Sequence, residues 1–265
     1  MPAPVVWNES FPVRAYDVTP HGEASPLALC DFMQVAAGNH AAHLGLSMES
    51  LLQNGRAWVL AFLQLEVDRY PAWHQTLEIE TWPSGLDRLY ATREFVLSDE
   101  DGECARATSA WLVIDTERRR PLRPPAALNE IDPPARPPAI EVERSKMEKP
   151  ATESAHEREF RVRYHDLDLN RHVNNVRYVE WALETLPADW LDAYALDDLT
   201  LEFRAETTAD DPVRSTVHPV GAENRASARN ASARNEHRTF HHHLQHAGEG
   251  HTLALAKTVW TPRSG

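Results

Sequence analysis

The sequence predicts an α+β protein of two similar lobes, each one helix followed by a run of antiparallel strands. Three observations carry that prediction. First, the chain repeats itself. Phe11-Pro-Val13-Arg14-Ala-Tyr-Asp17 returns 149 residues later as Phe160-Arg-Val162-Arg163-Tyr-His-Asp166. Leu63-Gln-Leu65-Glu66-Val67 returns 136 residues later as Leu199-Thr-Leu201-Glu202-Phe203, and Ala107–Trp111 returns 149 residues later as Ala256–Trp260. Three matches in one order indicate a duplication. Second, Pro121 to Pro138 holds seven prolines in eighteen residues, a density that suits neither a helix interior nor a central strand. Third, segments in both halves alternate apolar and polar residues with the period of a half-buried strand.

The proline-rich stretch and the charged segment after it read as a stiff, extended linker. They set lobes of about 1–135 and 156–265, with 136–155 between them. In the first lobe a short strand (11–16) precedes a helix over roughly 27–44, with Leu29, Phe32, Met33, Ala36 and Ala37 at helical spacing. Strands follow at 58–67, 76–82, 90–97 and 105–114. In the second lobe a strand (160–164) precedes a helix over roughly 175–186, marked by Val176, Val179, Leu183 and Leu186. Strands at 200–205, 213–219, 239–246 and 251–260 complete it, with Gly102 and Gly248–Gly250 marking hairpin turns.

Bulk composition narrows the function. The net charge of −13 opposes a nucleic-acid-binding role. No apolar run approaches the roughly 20 residues that span a bilayer. Two cysteines, Cys30 and Cys104, make no disulfide framework and suit a reducing compartment. The N-terminal residues lack a secretory signal pattern, so the expected location is cytoplasmic. Only Lys146, Lys149 and Lys257 are lysines; arginine supplies nearly all other positive charge. Arg118-Arg119-Arg120 with Arg123 forms one basic cluster, either a solvated turn or a contact for an acidic partner. Along the strand His241-His242-His243, alternate rings face opposite sides and no cysteine accompanies them, so no metal or cofactor is expected.

The densest chemistry lies in Asp166-Leu-Asp168-Leu-Asn170-Arg-His172-Val-Asn174-Asn175, between a strand and a helix. Part of this is helix capping, because Asn and Asp favour the N-cap. Capping does not account for a carboxylate, an amide and an imidazole at i, i+2 and i+4. His172 is suited to act as a base near neutral pH. Asp168 is able either to attack an acyl carbonyl or to orient water. A helix beginning at about Asn175 turns N–H donors toward a developing oxyanion.

Asp168-Leu-Asn170-Arg-His172-Val-Asn-Asn-Val-Arg-Tyr178-Val-Glu-Trp181 closely resembles the signature of acyl–acyl carrier protein (acyl-ACP) thioesterases of plants and bacteria. The resemblance extends to Glu66-Val-Asp68-Arg69-Tyr70-Pro71-Ala-Trp73 and to Leu201-Glu202-Phe203-Arg204-Ala-Glu206, and covers nearly the whole chain. It implies a tandem hotdog fold, each lobe a long helix wrapped by an antiparallel sheet. It also implies hydrolysis of fatty acyl-ACP, with Asp168, Asn170, His172 and Glu206 catalytic. Two nearby carboxylates would push their pKa values apart. Many plant members carry a cysteine immediately after the glutamate; here that position is Thr207, which favours a carboxylate mechanism.

At the 149-residue offset the first lobe has Thr19, His21 and Glu23 in place of Asp168, Asn170 and His172, so one active site per chain is expected. The first helix would then be free to line an acyl pocket through Phe32, Met33 and Ala36, unless these residues only fill the core. Asn175 is a further candidate substrate contact. An acyl-CoA thioesterase and a non-catalytic acyl-thioester sensor stay open as alternatives. A homodimer is compatible with such folds by analogy alone.

Overall fold

The structure is a computed structural model that describes residues 5–125, 128, 131–142, 146–220 and 237–263. Residues 143–145 of the expected linker, and the first four residues read for a leader, lie outside the described residues. The chain divides into two compact units, 1–143 and 144–265.

The first lobe opens with strand β1 (Trp7–Pro12) and a loop leading to helix α1 (Pro26–His43). Ser25 starts this helix: its hydroxyl accepts the Ala28 N–H at 3.1 Å, and Pro26, which has no N–H to satisfy, takes the first helical position. Leu29, Phe32, Met33, Ala36, Ala37 and His40 are buried, whereas Asp31, Val35 and Asn39 face water. The helix ends at Gly45, whose φ of 73° lets its N–H reach the Ala42 carbonyl and the Leu46 N–H reach that of Ala41. Truncating a buried side chain such as Leu29 to alanine would cost about 2–5 kcal/mol.

Helix α2 (Met48–Gln53) leads into strands β2 (Arg56–Val67), β3 (Thr76–Asp87), β4 (Tyr90–Asp99), β5 (Gly102–Asp115) and β6 (Arg120–Leu122). The antiparallel order is β1-β3-β4-β5-β2, with β6 paired to β5, and α1 packs against β1 and β3. The second lobe repeats the plan. Strand β7 (His156–Arg161) and a short 3-10 turn (Tyr164–Asp166) precede helices α3 (Asn175–Leu183) and α4 (Ala188–Ala193). Strands β8 (Tyr194–Phe203), β9 (Pro212–Val220), β10 (Arg238–His246) and β11 (Thr252–Pro262) follow. Their order is β7-β9-β10-β11-β8, and α3 packs against β9 and β10. Each strand therefore occupies the place of its counterpart in the other lobe.

Several expectations need correction. The second helix is not long: α3 stops after nine residues at Leu183, short of Leu186. Thr185 turns its hydroxyl back to the Trp181 carbonyl at 2.6 Å, and Pro187 follows. Helices α2 and α4 and strand β6 were not foreseen. Strand β8 begins six residues earlier than the alternation suggested, because Asp197 and Asp198 interrupt the apolar pattern yet sit within the strand. Strand β3 runs on through Pro83 by means of a register shift between Pro83 and Gly85.

The expected linker is not a bare spacer. The Arg136 guanidinium stacks 3.3 Å over the Trp82 ring, the Ala139 N–H donates to Glu94 at 3.0 Å, and Ile140 is buried. Past the division, the Met147 N–H donates to Glu202 at 2.8 Å and the Thr152 carbonyl lies 2.8 Å from His218 Nδ1. Each end of the segment is thus folded onto its own lobe.

Candidate active site

The loop between β7 and α3 is built around a buried carboxylate. Asp166 accepts the Arg163 backbone N–H at 2.7 Å and its guanidinium at 2.8 and 3.1 Å, while the Asp166 carbonyl takes the Asn174 N–H at 2.8 Å. Burial alone would raise the pKa of Asp166. The hydrogen bonds and charge of Arg163, and then the charge of Arg177, outweigh burial and hold it below the usual carboxylate range.

Within this frame Leu167 pairs with Val173, and the intervening chain turns sharply. The Asp168 N–H donates to the His172 carbonyl at 2.7 Å, and the Arg171 N–H to the Asp168 carbonyl at 3.0 Å. Arg171 adopts a left-handed φ of 63°. Asp168 Oδ1 accepts the N–H groups of Asn170 at 2.8 Å and His172 at 3.1 Å, and Asn170 Nδ2 lies 3.5 Å from Oδ2.

The first lobe makes the same loop with different chemistry. Arg14 holds Asp17, Val18 pairs with Ala24, the Thr19 N–H donates to the Glu23 carbonyl, and Gly22 takes the left-handed turn. The Thr19 hydroxyl accepts the His21 N–H at 3.2 Å, the place of Asp168 Oδ1 in the second lobe. The loop conformation therefore does not require a carboxylate at this position, although the second lobe has one.

Glu206 arrives from β8. The Val173 N–H donates to the Thr207 carbonyl at 3.3 Å, stitching the segment after β8 to the loop. His172 Nε2 then lies 3.8 Å from Glu206 Oε2, each side chain about one quarter exposed. Three of the expected residues share one loop and the fourth faces its imidazole.

Around this pair are residues to which the sequence reading gave no structural part. Tyr178 is buried on α3, its ring packed edge-on to Phe203 at 5.3 Å, and its phenol meets the Thr207 backbone. Burial pushes that phenol's pKa up. The buried Thr207 hydroxyl donates to Asp211 at 3.0 Å, so it is committed to shaping the turn. The recurrence of Arg-x-x-Asp at 14–17 and 163–166 was the available signal for the Asp166 anchor.

The remaining candidates are placed as follows. Asn174 caps α3: its side chain accepts the Val176 N–H at 3.1 Å and its carbonyl takes the Arg177 N–H at 2.9 Å. These two first-turn donors serve the cap, and Asn175 opens the helix beside them. Phe32, Met33 and Ala36 are buried in the first lobe, with Phe32 stacked on Phe11 at 4.9 Å. Arg118, Arg119, Arg120 and Arg123 lie exposed around β6. Both cysteines are buried, and burial pushes Cys30 up to about 12 and Cys104 to about 11, which keeps them as thiols at neutral pH. His242 is buried with Nε2 2.8 Å from the Thr258 hydroxyl oxygen, while His243 Nε2 meets Thr252 at 2.9 Å.

A duplicated unit of one sheet packed on a helix is a tandem hotdog fold. Residues 4–130 match the acyl-ACP thioesterase N-terminal domain and residues 149–262 its C-terminal domain, and the chain belongs to the acyl-ACP thioesterase family. It is 30% identical over 288 residues to the chloroplastic oleoyl-acyl carrier protein thioesterase of Coriandrum sativum, covering 97% of this chain and 77% of that one. Its fold resembles the 12:0-ACP thioesterase from Umbellularia californica, with a TM-score of 0.82, 27% identity and coverage of 98% and 95% of the two chains. An acyl-ACP thioesterase from Bacteroides thetaiotaomicron shares the fold at a TM-score of 0.80 and 23% identity, over 96% of this chain and 97% of that one.

Proposed function

We propose that this chain hydrolyses fatty acyl-ACP thioesters by activating water between His172 and Glu206. The observation that carries this reading is the 3.8 Å separation of His172 Nε2 and Glu206 Oε2, a span that one water molecule can bridge. The water gives a proton to this pair as its oxygen bonds to the acyl carbon. The C–S bond then breaks, the thiolate leaves, and the proton passes to sulfur. Asp168 is the orienting carboxylate. Its Oδ1 already accepts two backbone N–H groups, which makes that oxygen a weak nucleophile and fixes the carboxylate on the loop. Asn170, held on the same turn, positions the substrate carbonyl. Asn175 at the start of α3 contacts substrate, and Phe32, Met33 and Ala36 contact the acyl chain.

The test is thiol release from matched acyl-ACP and acyl-CoA substrates across chain lengths, with single turnover in ¹⁸O-labelled water. Direct attack by water predicts label in the fatty acid and none in Asp168. Label recovered in Asp168 would replace water attack with a covalent anhydride. Faster release from acyl-CoA than from acyl-ACP would overturn the substrate assignment.

A further inference from the structure

The turn that carries Glu206 has a counterpart in the first lobe that keeps its backbone and changes its chemistry. At an offset of 136 residues, Glu206-Thr207-Thr208 corresponds to Tyr70-Pro71-Ala72, and Asp211 to Gln75. Asp210 and His74 both take a left-handed φ, of 68° and 74°. Each donates its N–H to the valine that follows the lobe's first strand, Asp210 to the Val162 carbonyl at 3.2 Å and His74 to the Val13 carbonyl at 3.1 Å. Val162 returns its own N–H to the Asp211 carbonyl at 3.0 Å, and Val13 to that of Gln75 at 2.9 Å. The Thr207 carbonyl takes the Val173 N–H, as the Pro71 carbonyl takes the Ala24 N–H at 2.8 Å. Even the side-chain clasp recurs. Gln75 Oε1 accepts the Ala72 N–H at 2.6 Å, where Asp211 Oδ2 accepts the Thr208 N–H at 2.8 Å.

Two hydrogen bonds of the second lobe have no counterpart. The Thr207 hydroxyl donates to Asp211 at 3.0 Å, whereas Pro71 has no side-chain donor. The Thr207 backbone also hydrogen-bonds the Tyr178 phenol, whereas the first lobe has Leu29 at the place of Tyr178 and no N–H on Pro71. Counting the Val173 bond, Thr207 is thus held by three elements: its hydroxyl by the turn, its backbone by α3 and its carbonyl by the His172 loop. The first-lobe turn forms without the first two, so the turn's conformation does not account for them. They occur in the lobe whose turn sets a carboxylate against an imidazole. Asp211 is itself oriented. Its Oδ2 accepts the Thr208 hydroxyl at 3.1 Å, and its Oδ1 lies 3.8 Å from His246 Nε2. His246 Nδ1 accepts the Gly248 and Glu249 N–H groups at 3.2 and 3.0 Å, which leaves the ring proton on Nε2, toward Asp211.

We propose that Thr207 fixes the placement of Glu206, with Tyr178 and Asp211 as positioning residues that act through it. The proposal rests on the hydrolytic reading of His172 and Glu206 and deepens it. Rotation of the backbone at 206–207 would swing the carboxylate away from the imidazole, and each bond to Thr207 resists that rotation. Thr207 and Tyr178 are both buried, so they contribute geometry and not contact with substrate.

Thr207→Val and Tyr178→Phe each remove one of these bonds and keep the shape of the side chain. Because the first lobe builds the turn without either bond, both variants should fold, singly and together. Each is expected to lower kcat roughly tenfold, and the pair up to about 10²-fold, the scale on which a displacement of about 1 Å acts. KM should change by less than about twofold, since the lost interaction serves the chemical step. Thr207→Ser keeps the hydroxyl and should restore kcat. In a Glu206→Gln background the same substitutions should cost no further activity, because no carboxylate is left to place. Losses that add to that of Glu206→Gln overturn the proposal, as does a rise in KM with kcat unchanged. A crystal structure of the Tyr178→Phe/Thr207→Val protein tests the placement without turnover. The separation of His172 Nε2 and Glu206 Oε2 should widen beyond 3.8 Å, and an unchanged pair overturns the proposal. Failure of the hydrolytic reading would look different: no thiol release from any substrate by the wild type, with the crystal structure still deciding what Thr207 holds.

Discussion

The imidazole Nε2 of His172 lies 3.8 Å from the Glu206 carboxylate, across 34 residues of chain. The approach depends on one backbone bond, from the Val173 N–H to the Thr207 carbonyl, and on Tyr178 packed behind Thr207. Removing either member of the pair should slow the chemical step and leave the fold intact, because both side chains are partly exposed. His172→Ala and Glu206→Gln are each expected to lower kcat by roughly 10²–10⁴-fold, the range for a lost acid–base group. Stopped-time thiol release alongside thermal melting checks this; full activity in Glu206→Gln would sink the pair as the water-activating unit.

Thr19 makes a natural control for Asp168. Because the Thr19 hydroxyl accepts the N–H two residues ahead, as Asp168 Oδ1 does, Asp168→Thr should keep the loop while removing the charge. The expected result is a melting temperature within a few degrees of wild type, as for a change of under about 1 kcal/mol, together with severe loss of hydrolysis. Wild-type turnover in this variant would reduce Asp168 to a structural role.

Asp166 should govern acid stability. Its carboxyl has a folded pKa below the ordinary value, so its contribution is complete above the unfolded pKa of about 4 and is lost as pH falls through the folded value. Asp17 in the matching loop behaves alike, with Arg14 as its leading partner. Denaturant midpoints should therefore be flat near neutrality and drop below about pH 4. Asp166→Asn should be less stable at pH 7 and show a shallower acid drop; an unchanged acid limb would mean that other carboxylates set it.

Ala36 tests the acyl-contact assignment. It is fully buried on α1, so Ala36→Leu carries an overpacking cost of about 1–3 kcal/mol. If the variant folds, product analysis by chain length should show a shift toward shorter fatty acids, and a conservative Met33→Leu should change the profile less. A folded Ala36→Leu protein with the wild-type profile would leave Phe32, Met33 and Ala36 as core residues only.

Much of this was legible in the sequence because it is local. The helical spacing of Leu29, Phe32, Met33, Ala36 and Ala37 marks α1, and Gly102 and Gly250 occupy turns at φ of 107° and 74°. The 149-residue offset carries over to the hydrogen bonds of both loops, since a loop of this size is set by its own side-chain-to-backbone contacts. Strand β8 was half hidden because Asp197 and Asp198 break its alternation. Asp197 meets Thr261 on β11, at 2.8 Å, and His237, at 3.2 Å, partners that are remote in sequence.

By itself, then, the sequence determined the duplication, the gathering of Asp168, Asn170 and His172 in one loop, and their replacement by Thr19, His21 and Glu23 in the first lobe. Tertiary structure decided what faces what. It set Glu206 against His172, committed Thr207 to Asp211, gave two first-turn N–H groups of α3 to the Asn174 cap, and folded the Lys146–Lys149 strap onto Glu202 and Arg204. The physical reason is range. A turn or a cap is specified by neighbours within a few residues, whereas a contact across 34 or 55 residues exists only once strand register has brought both ends to one place.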